Sequence, residues 1–216
     1  MATVHRRPEM LETVQIAIMA KAPIPGLAKT RLIPALGAIG AARLQRRLTR
    51  MTVACALGAR LGAVTVWCAP DSRHRFFRAL KQTNGVDLLV QSAGDLGARM
   101  HTAFRLHCEL GPLIVVGTDC PVLRPKHLRA AAQALIAGDD AVFHPAEDGG
   151  YALVGLRAPQ PTLFADMPWS TPRVMPETRA RARAQGFRVR EFETLWDVDL
   201  PAQLERLEAL LAEAAP

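Results

Sequence analysis

Three stretches of strand length constrain this chain more than anything else in it. Residues 14–20 (VQIAIMA), 63–69 (AVTVWCA) and 113–117 (LIVVG) are apolar almost throughout, where a half-exposed strand would alternate. A strand that is apolar on both faces must be covered on both, as in the interior of a parallel sheet. The stretches between carry apolar residues three and four apart, which predicts helices over 38–62, 71–81, 95–109, 125–137, 172–185 and 201–215. Further strands are expected at 86–91, 140–144, 151–155 and 187–192. Asp71 and Asp95 are placed to cap helices, Pro125 and Pro201 to open them, and Gly186 to end one. This alternation predicts an α/β fold with a mostly parallel central sheet flanked by helices. No repeat or linker divides it, and 216 residues suit one domain. Residues 1–13 read as a loose tail and 14–216 as the domain.

The charge is unevenly placed. The formal net charge is +7. Residues 1–60 hold ten Lys/Arg against two Asp/Glu, and the rest hold seventeen against eighteen. Such an excess suits a nucleic acid, a membrane surface or a phosphorylated small molecule. Aromatic residues make up only 5% of the chain, which argues against a base-stacking surface. Arg43, Arg46, Arg47 and Arg50 form a basic stripe, but no basic recognition helix is obvious. The basic start at His5–Arg7 runs into PEMLET and not into the apolar stretch of a signal peptide, and 16–20 is too short to span a bilayer. Cys55, Cys68, Cys108 and Cys120 show neither zinc-site nor disulfide-framework spacing. A reduced, cytoplasmic protein without a membrane span is the expectation.

In parallel sheets, ligands bind beyond the carboxyl ends of the strands, and the unusual chemistry of this chain falls there. The first strand is followed by KAPIPGLAKTRL, in which Lys21, Lys29 and Arg31 surround a turn containing Pro25 and Gly26. Three cations at that place suit phosphate, with Arg offering a two-pronged donor. The loop lacks the second glycine of a Walker A motif. After the third strand, GDLGARM offers Gly94 and Arg99 toward a base or phosphate. After the fourth, GTDCP presents Asp119, a carboxylate at a buried strand end that a divalent metal would partner. Cys120 beside it reads as a small buried thiol. EDGGY places Glu147, Asp148, Gly149 and Gly150 in a turn, either as an ordinary hairpin or to bind a metal or orient an acceptor. MPWSTP sets Trp169, Ser170 and Thr171 at a helix start, as acceptor contacts or as cap and packing. WDVDLP offers Asp197 and Asp199 on one face if extended, although Asp199 is also placed to cap the last helix.

In order, AKAPIPGLAKTRL, GDLGARM, GTDCPVL, PAEDGGYALVGL, MPWST and WDVDLPAQL resemble the bacterial DUF2064 proteins, over about residues 14–210. That family is also described as radical-SAM/selenodomain-associated transferase 1 or arsenosugar-biosynthesis-type glycosyltransferases, within the GT-A nucleotide-diphospho-sugar transferase superfamily. The resemblance implies a single-domain GT-A fold and a transferase using a nucleotide-activated donor with Mg²⁺ or Mn²⁺. The loop with Lys21, Gly26, Lys29 and Arg31 is similar to the phosphate loop of guanylyltransferases acting on phospholactate. Asp119 takes the place of the superfamily's metal-binding Asp, and Asp199 that of a second ligand, with Asp197 the alternative. Glu147 or Asp148 would orient or deprotonate the acceptor. Glycosyl transfer from a nucleotide sugar to a small-molecule acceptor comes first. Where many glycosyltransferases carry D-x-D, this chain has a lone Asp in TDCP, which favours nucleotidylyl transfer to a phosphorylated acceptor as the alternative. A nucleic-acid-binding module and an inactive nucleotide sensor rank below both.

Overall fold

The computed structural model describes residues 13–213, so the expected tail lies outside the described residues except for Thr13. The strands are β1 Gln15–Lys21, β2 Val64–Ala69, β3 Asp87–Val90, β4 Leu113–Val116, β5 Ala141–Pro145, β6 Tyr151–Leu156 and β7 Val189–Glu191. The helices are α1 Ile33–Ala59, α2 Arg75–Asn84, α3 Leu96–His107, α4 Pro125–Ile136, α5 Val174–Ala184 and α6 Leu204–Glu213. All the strands join one sheet of order β3-β2-β1-β4-β6-β5-β7. Pairing is parallel for β1 with β2 and β4, for β2 with β3, and for β5 with β7. Only β6 runs against both neighbours. The short turn after β5 is too brief for a crossover, so the chain must return antiparallel. The α/β reading with a mostly parallel sheet therefore holds.

Alternation along β1 divides the core. Ile16, Ile18 and Ala20 pack toward Val53 of α1, Phe77 of α2 and Leu128 of α4. Ala17 joins the opposite layer, with Phe104 of α3 and Met175 of α5. A third, smaller cluster unites Leu32 and Leu48 with Trp196, Val198 and Leu207. It seats the segment carrying Asp197 and Asp199 between α1 and α6.

The expected helix caps hold at some positions and not at others. Asp95 caps α3 as expected, accepting the Ala98 N–H at 2.8 Å. Asp71 does not cap α2. Its carboxylate instead accepts from the Arg73 N–H at 2.7 Å, while the His74 imidazole accepts from the Phe76 N–H at 3.2 Å and starts the helix at Arg75. A cap from histidine was invisible because imidazole is not an ordinary capping group. The first helix starts earlier than 38, at Ile33, with Pro34 in its opening turn and a break at Gly37 (φ 67°). At the last helix the Gln203 side chain takes the capping task, accepting the Asp199 and Leu200 N–H groups at 2.6 and 2.7 Å. The Asp199 carboxylate is thus released for other partners. Among the described residues, no helix is long and apolar enough to cross a membrane.

Candidate active site

Two adjoining cavities lie where the parallel strands end. The first, about 330 Å³, brings together Lys21 from the end of β1, Lys29 and Arg31 from the loop after it, and Arg99 from α3. Lys29 is the most constrained of the four. Its backbone is left-handed (φ 49°, ψ 47°), a conformation that costs a non-glycine residue about 1–3 kcal/mol. Its side chain is only 3% exposed, and its ammonium donates to the Val198 carbonyl at 2.6 Å and to Asp199 Oδ1 at 3.1 Å. The same nitrogen touches the Asp119 carboxylate. Arg31 reaches Asp199 Oδ2 at 3.4 Å. Arg99 donates to the Gly94 carbonyl at 3.0 Å and meets Gln91 Oε1 at 3.5 Å. Gln91 in turn donates to the Trp67 and Ala20 carbonyls, which fixes it across β2 and β1.

The second cavity, about 280 Å³, gathers four carboxylates: Asp119, Asp148, Asp197 and Asp199. Asp119 follows β4, and its carbonyl accepts the Val198 N–H at 2.9 Å, which clamps the 197–199 segment onto the strand end. Asp148 sits in the β5–β6 turn and accepts the Gly150 N–H at 2.8 Å. Burial, followed by the charges of Asp148, Asp199 and Asp119, lifts the Asp197 carboxyl to about 6. One Asp197 oxygen is buried without a partner. Asp119 and Asp199 border both cavities, with side chains 43% and 36% exposed.

The remaining candidates divide. Gly150, Trp169, Ser170 and Thr171 line the acidic cavity. Glu147 turns away and pairs with Arg206 of α6 at 2.9 Å, while that Arg lies over the Trp196 ring at 4.4 Å. Gly149 (φ 88°) is a packing residue, since a β-carbon there would meet Pro172 Cα at 2.5 Å. Pro25 borders a different surface hollow, beside Ile39 and His74. Gly26 (φ 80°) permits the turn, and a β-carbon on it would touch nothing. Gly94 (φ 103°) lends its carbonyl to Arg99. Cys120 is a buried thiol, pushed up to about 12 by burial, and not a nucleophile in waiting. Sequence reasoning missed Tyr151, Gln91 and the buried Gln45–Thr118 pair, joined at 3.0 Å. No spacing rule points to them, because tertiary contacts alone bring them to the site.

Among the described residues, no group of three or more His, Cys, Asp or Glu is arranged to enclose a metal ion. The donor set nevertheless fits Mg²⁺ or Mn²⁺. Mg²⁺ is ordinarily held by one or two carboxylates plus substrate phosphates, and not by an all-protein cage. Here Asp197 lies half-buried beside Asp119, Asp148 and Asp199 with one oxygen unpartnered, while Asp119 and Asp199 share the Lys29 ammonium.

Strand order, the antiparallel β6 and a site at the strand ends define a nucleotide-diphospho-sugar-transferase-like α/β fold. A protein of Desulfovibrio desulfuricans G20, described as a candidate nucleotide-diphospho-sugar transferase, superposes with a TM-score of 0.79 at 26% identity, over 88% of this chain and 84% of that one. CMP:2-keto-3-deoxy-manno-octonic acid synthetase, solved with CTP, superposes at 0.59 with 17% identity, over 94% and 100%. Rv0371c of Mycobacterium tuberculosis H37Rv, solved with manganese, does so at 0.55 with 17% identity, over 90% and 97%. The latter two share the fold. The chain belongs to the bacterial family DUF2064 ("Uncharacterized protein conserved in bacteria"), whose model matches residues 52–171. No curated protein matches it in sequence.

Proposed function

We propose that this protein is a transferase taking a nucleotide-activated donor in the presence of Mg²⁺ or Mn²⁺, with glycosyl transfer from a nucleotide sugar as the reaction. One observation carries the reading: a four-cation cavity and a four-carboxylate cavity share Asp119 and Asp199 as a common wall. Lys21, Lys29, Arg31 and Arg99 receive the donor phosphates. Asp119 and Asp199, with Asp197 beside them, would hold the metal, which when bound neutralises charge on the phosphate leaving group. The transferred sugar then lies toward the acidic cavity. An acceptor hydroxyl oxygen bonds to the sugar's anomeric carbon, the bond from that carbon to the diphosphate oxygen breaks, and the nucleoside diphosphate departs. Asp148 takes the hydroxyl proton. Glu147, held by Arg206, supports the turn that presents Asp148. The four free thiols fit a reducing compartment and a cytoplasmic location.

The cation count supports a second reading, nucleotidylyl transfer, because four cations suit a triphosphate as well as a diphosphate. An acceptor oxygen would then attack the α-phosphorus and pyrophosphate would leave. A thermal-shift panel of nucleoside triphosphates and nucleotide sugars with Mg²⁺ or Mn²⁺ separates the two, since a bound ligand stabilises by RT ln(1 + [L]/Kd). Greater stabilisation by a nucleotide sugar than by its triphosphate is expected. The reverse order would transfer the assignment to nucleotidylyl transfer, and no stabilisation by any nucleotide would remove both.

A further inference from the structure

Helices α1 and α2 together hold seven Lys/Arg and no Asp or Glu. Arg43, Arg46, Arg47 and Arg50 stand three and four apart at exposed positions of α1. Elsewhere arginines are matched by acids, Arg179 with Glu191, Arg181 with Glu177 and Arg190 with Asp139. Among the described residues these four have no such acid. Like charges at these spacings work against a helix, so the row is unfavourable in the isolated chain and is relieved by an anion brought to it.

The row borders two hollows, of about 640 and 580 Å³, that share Arg43 and Arg46. One is lined by Ile24, Ile39 and Phe76, the other by Met51, Ala54 and Leu80. Early residues of α1 meet early residues of α2, and late meet late, so the helices run side by side in one direction and the hollows form one groove. From Ile39 to Ala54 it is about 22 Å long, at 1.5 Å per helical residue. In the second hollow every cation comes from α1, and the facing wall is Leu80, Thr83 and Asn84.

We infer that this groove docks an acidic amphipathic helix of another protein, whose Glu or Asp edge meets the arginine row while its apolar side chains enter between α1 and α2. Each guanidinium offers a carboxylate two parallel donors. A nucleic-acid backbone or an anionic bilayer would use the arginines and leave the apolar groups and the neutral α2 wall without a role. A second copy has no suitable helix to offer among the described residues. Only α6 carries more than one acid, and its Leu204, Leu207, Leu210 and Leu211 are packed with Leu44 and Leu48 of α1. The groove's near end reaches Pro23 and Ile24, in the loop that carries Lys29, so the partner stands beside the cation cavity. The inference is independent of the donor reading.

Fluorescence anisotropy on the full chain tests it with a labelled synthetic helix of about fifteen residues, carrying Glu three and four apart and Leu on the adjoining face. This peptide should bind about tenfold more tightly than a version with Gln for Glu and than another with Ser for Leu. Arg46→Glu combined with Arg50→Glu should remove the binding, with circular dichroism confirming the fold. A peptide with Lys in place of Glu should then bind the double variant in preference to the parent, which only direct charge pairing explains. Failure of the acidic peptide to bind overturns the inference, as does binding that survives the double substitution or the loss of Leu. Tighter binding of a duplex RNA oligonucleotide or of phosphatidylserine vesicles, lost in the same variant, would give the groove to nucleic acid or to a membrane instead. Self-association of the parent in sedimentation, lost in that variant, would replace the foreign helix with a second copy.

Discussion

Lys29 meets, with a single nitrogen, the two carboxylates that a metal would need, Asp119 and Asp199. Without a cation, its ammonium makes their proximity tolerable. Lys29→Met should therefore destabilise the ligand-free protein by roughly 1.5–3 kcal/mol, the worth of a hydrogen bond to a charged group, and so lower its melting temperature. Mg²⁺ should restore part of that loss, because a divalent ion supplies the missing positive charge. Unchanged melting would show that the ion pair contributes nothing. Asp197 sits in the opposite situation, a buried carboxylate among like charges with an unpaired oxygen. Asp197→Asn should raise the metal-free melting temperature and abolish the stabilisation that Mg²⁺ adds to a nucleotide. Retained Mg²⁺ dependence would exclude Asp197 from the metal site. The acids and cations were legible in sequence as residue types at strand ends. Their pairing was not, because Lys29 and Asp199 are 170 positions apart and only folding brings them to 3.1 Å.

Elements position these residues through close packing at glycines. Gly97 in the first turn of α3 leaves room for the Phe164 carbonyl, which a β-carbon would meet at 2.5 Å, and for the Trp169 ring. Gly149 gives the β5–β6 turn its contact with Pro172, before α5, and its carbonyl accepts the Met175 N–H at 2.8 Å. Gly97→Ala should cost about 1–3 kcal/mol of stability by overpacking and displace Trp169, so that its fluorescence spectrum changes while the cation cavity still binds nucleotide. A variant as stable as the parent with an unaltered spectrum would contradict this packing. In the sequence Gly149 reads as a hairpin signal or an acceptor contact, and Gly97 falls inside the helix expected over 95–109 with no role of its own. What they share is a tertiary neighbour that no local pattern encodes.

Across the whole molecule, buried histidines set the response to acid. Burial holds His107, His127 and His144 below the usual imidazole value, so the folded protein takes up protons on them at lower pH than the unfolded chain does. The unfolded chain binds protons on them first, from a pKa of about 6.5 downward, so stability is present above that value and is lost as pH falls through it. His144 is the most enclosed, at 0% exposure, with its Nδ1 donating to the Glu193 carbonyl at 2.9 Å and its ring stacked on Phe192 at 4.9 Å. The fall in melting temperature from pH 7.5 to 5.5 should be smaller in His144→Phe than in the parent. Equal slopes would place the acid sensitivity elsewhere. Asp197 acts in the opposite sense near pH 6, equally in both proteins, and cancels from the comparison. The positive charge has a position as well as a sum. Arg46 and Arg50 line the groove between α1 and α2 and not the cation cavity. Reversing both to Glu should leave nucleotide affinity within about threefold at 0.15 M salt, where the Debye length is about 8 Å. A larger loss would mean that the stripe helps to recruit the donor.

The sequence by itself determined the architecture and the end of the sheet at which the cations and acids of the candidate site gather. Continuous apolar strands need cover on both faces, and this physical demand is local enough to be read one segment at a time. The tertiary structure decided which acids share a cavity. It sent Glu147 to Arg206, released Asp199 from capping through Gln203, and gave Lys29 two carboxylates as partners. Those outcomes depend on distances between residues far apart in the chain, and a one-dimensional pattern carries no distances.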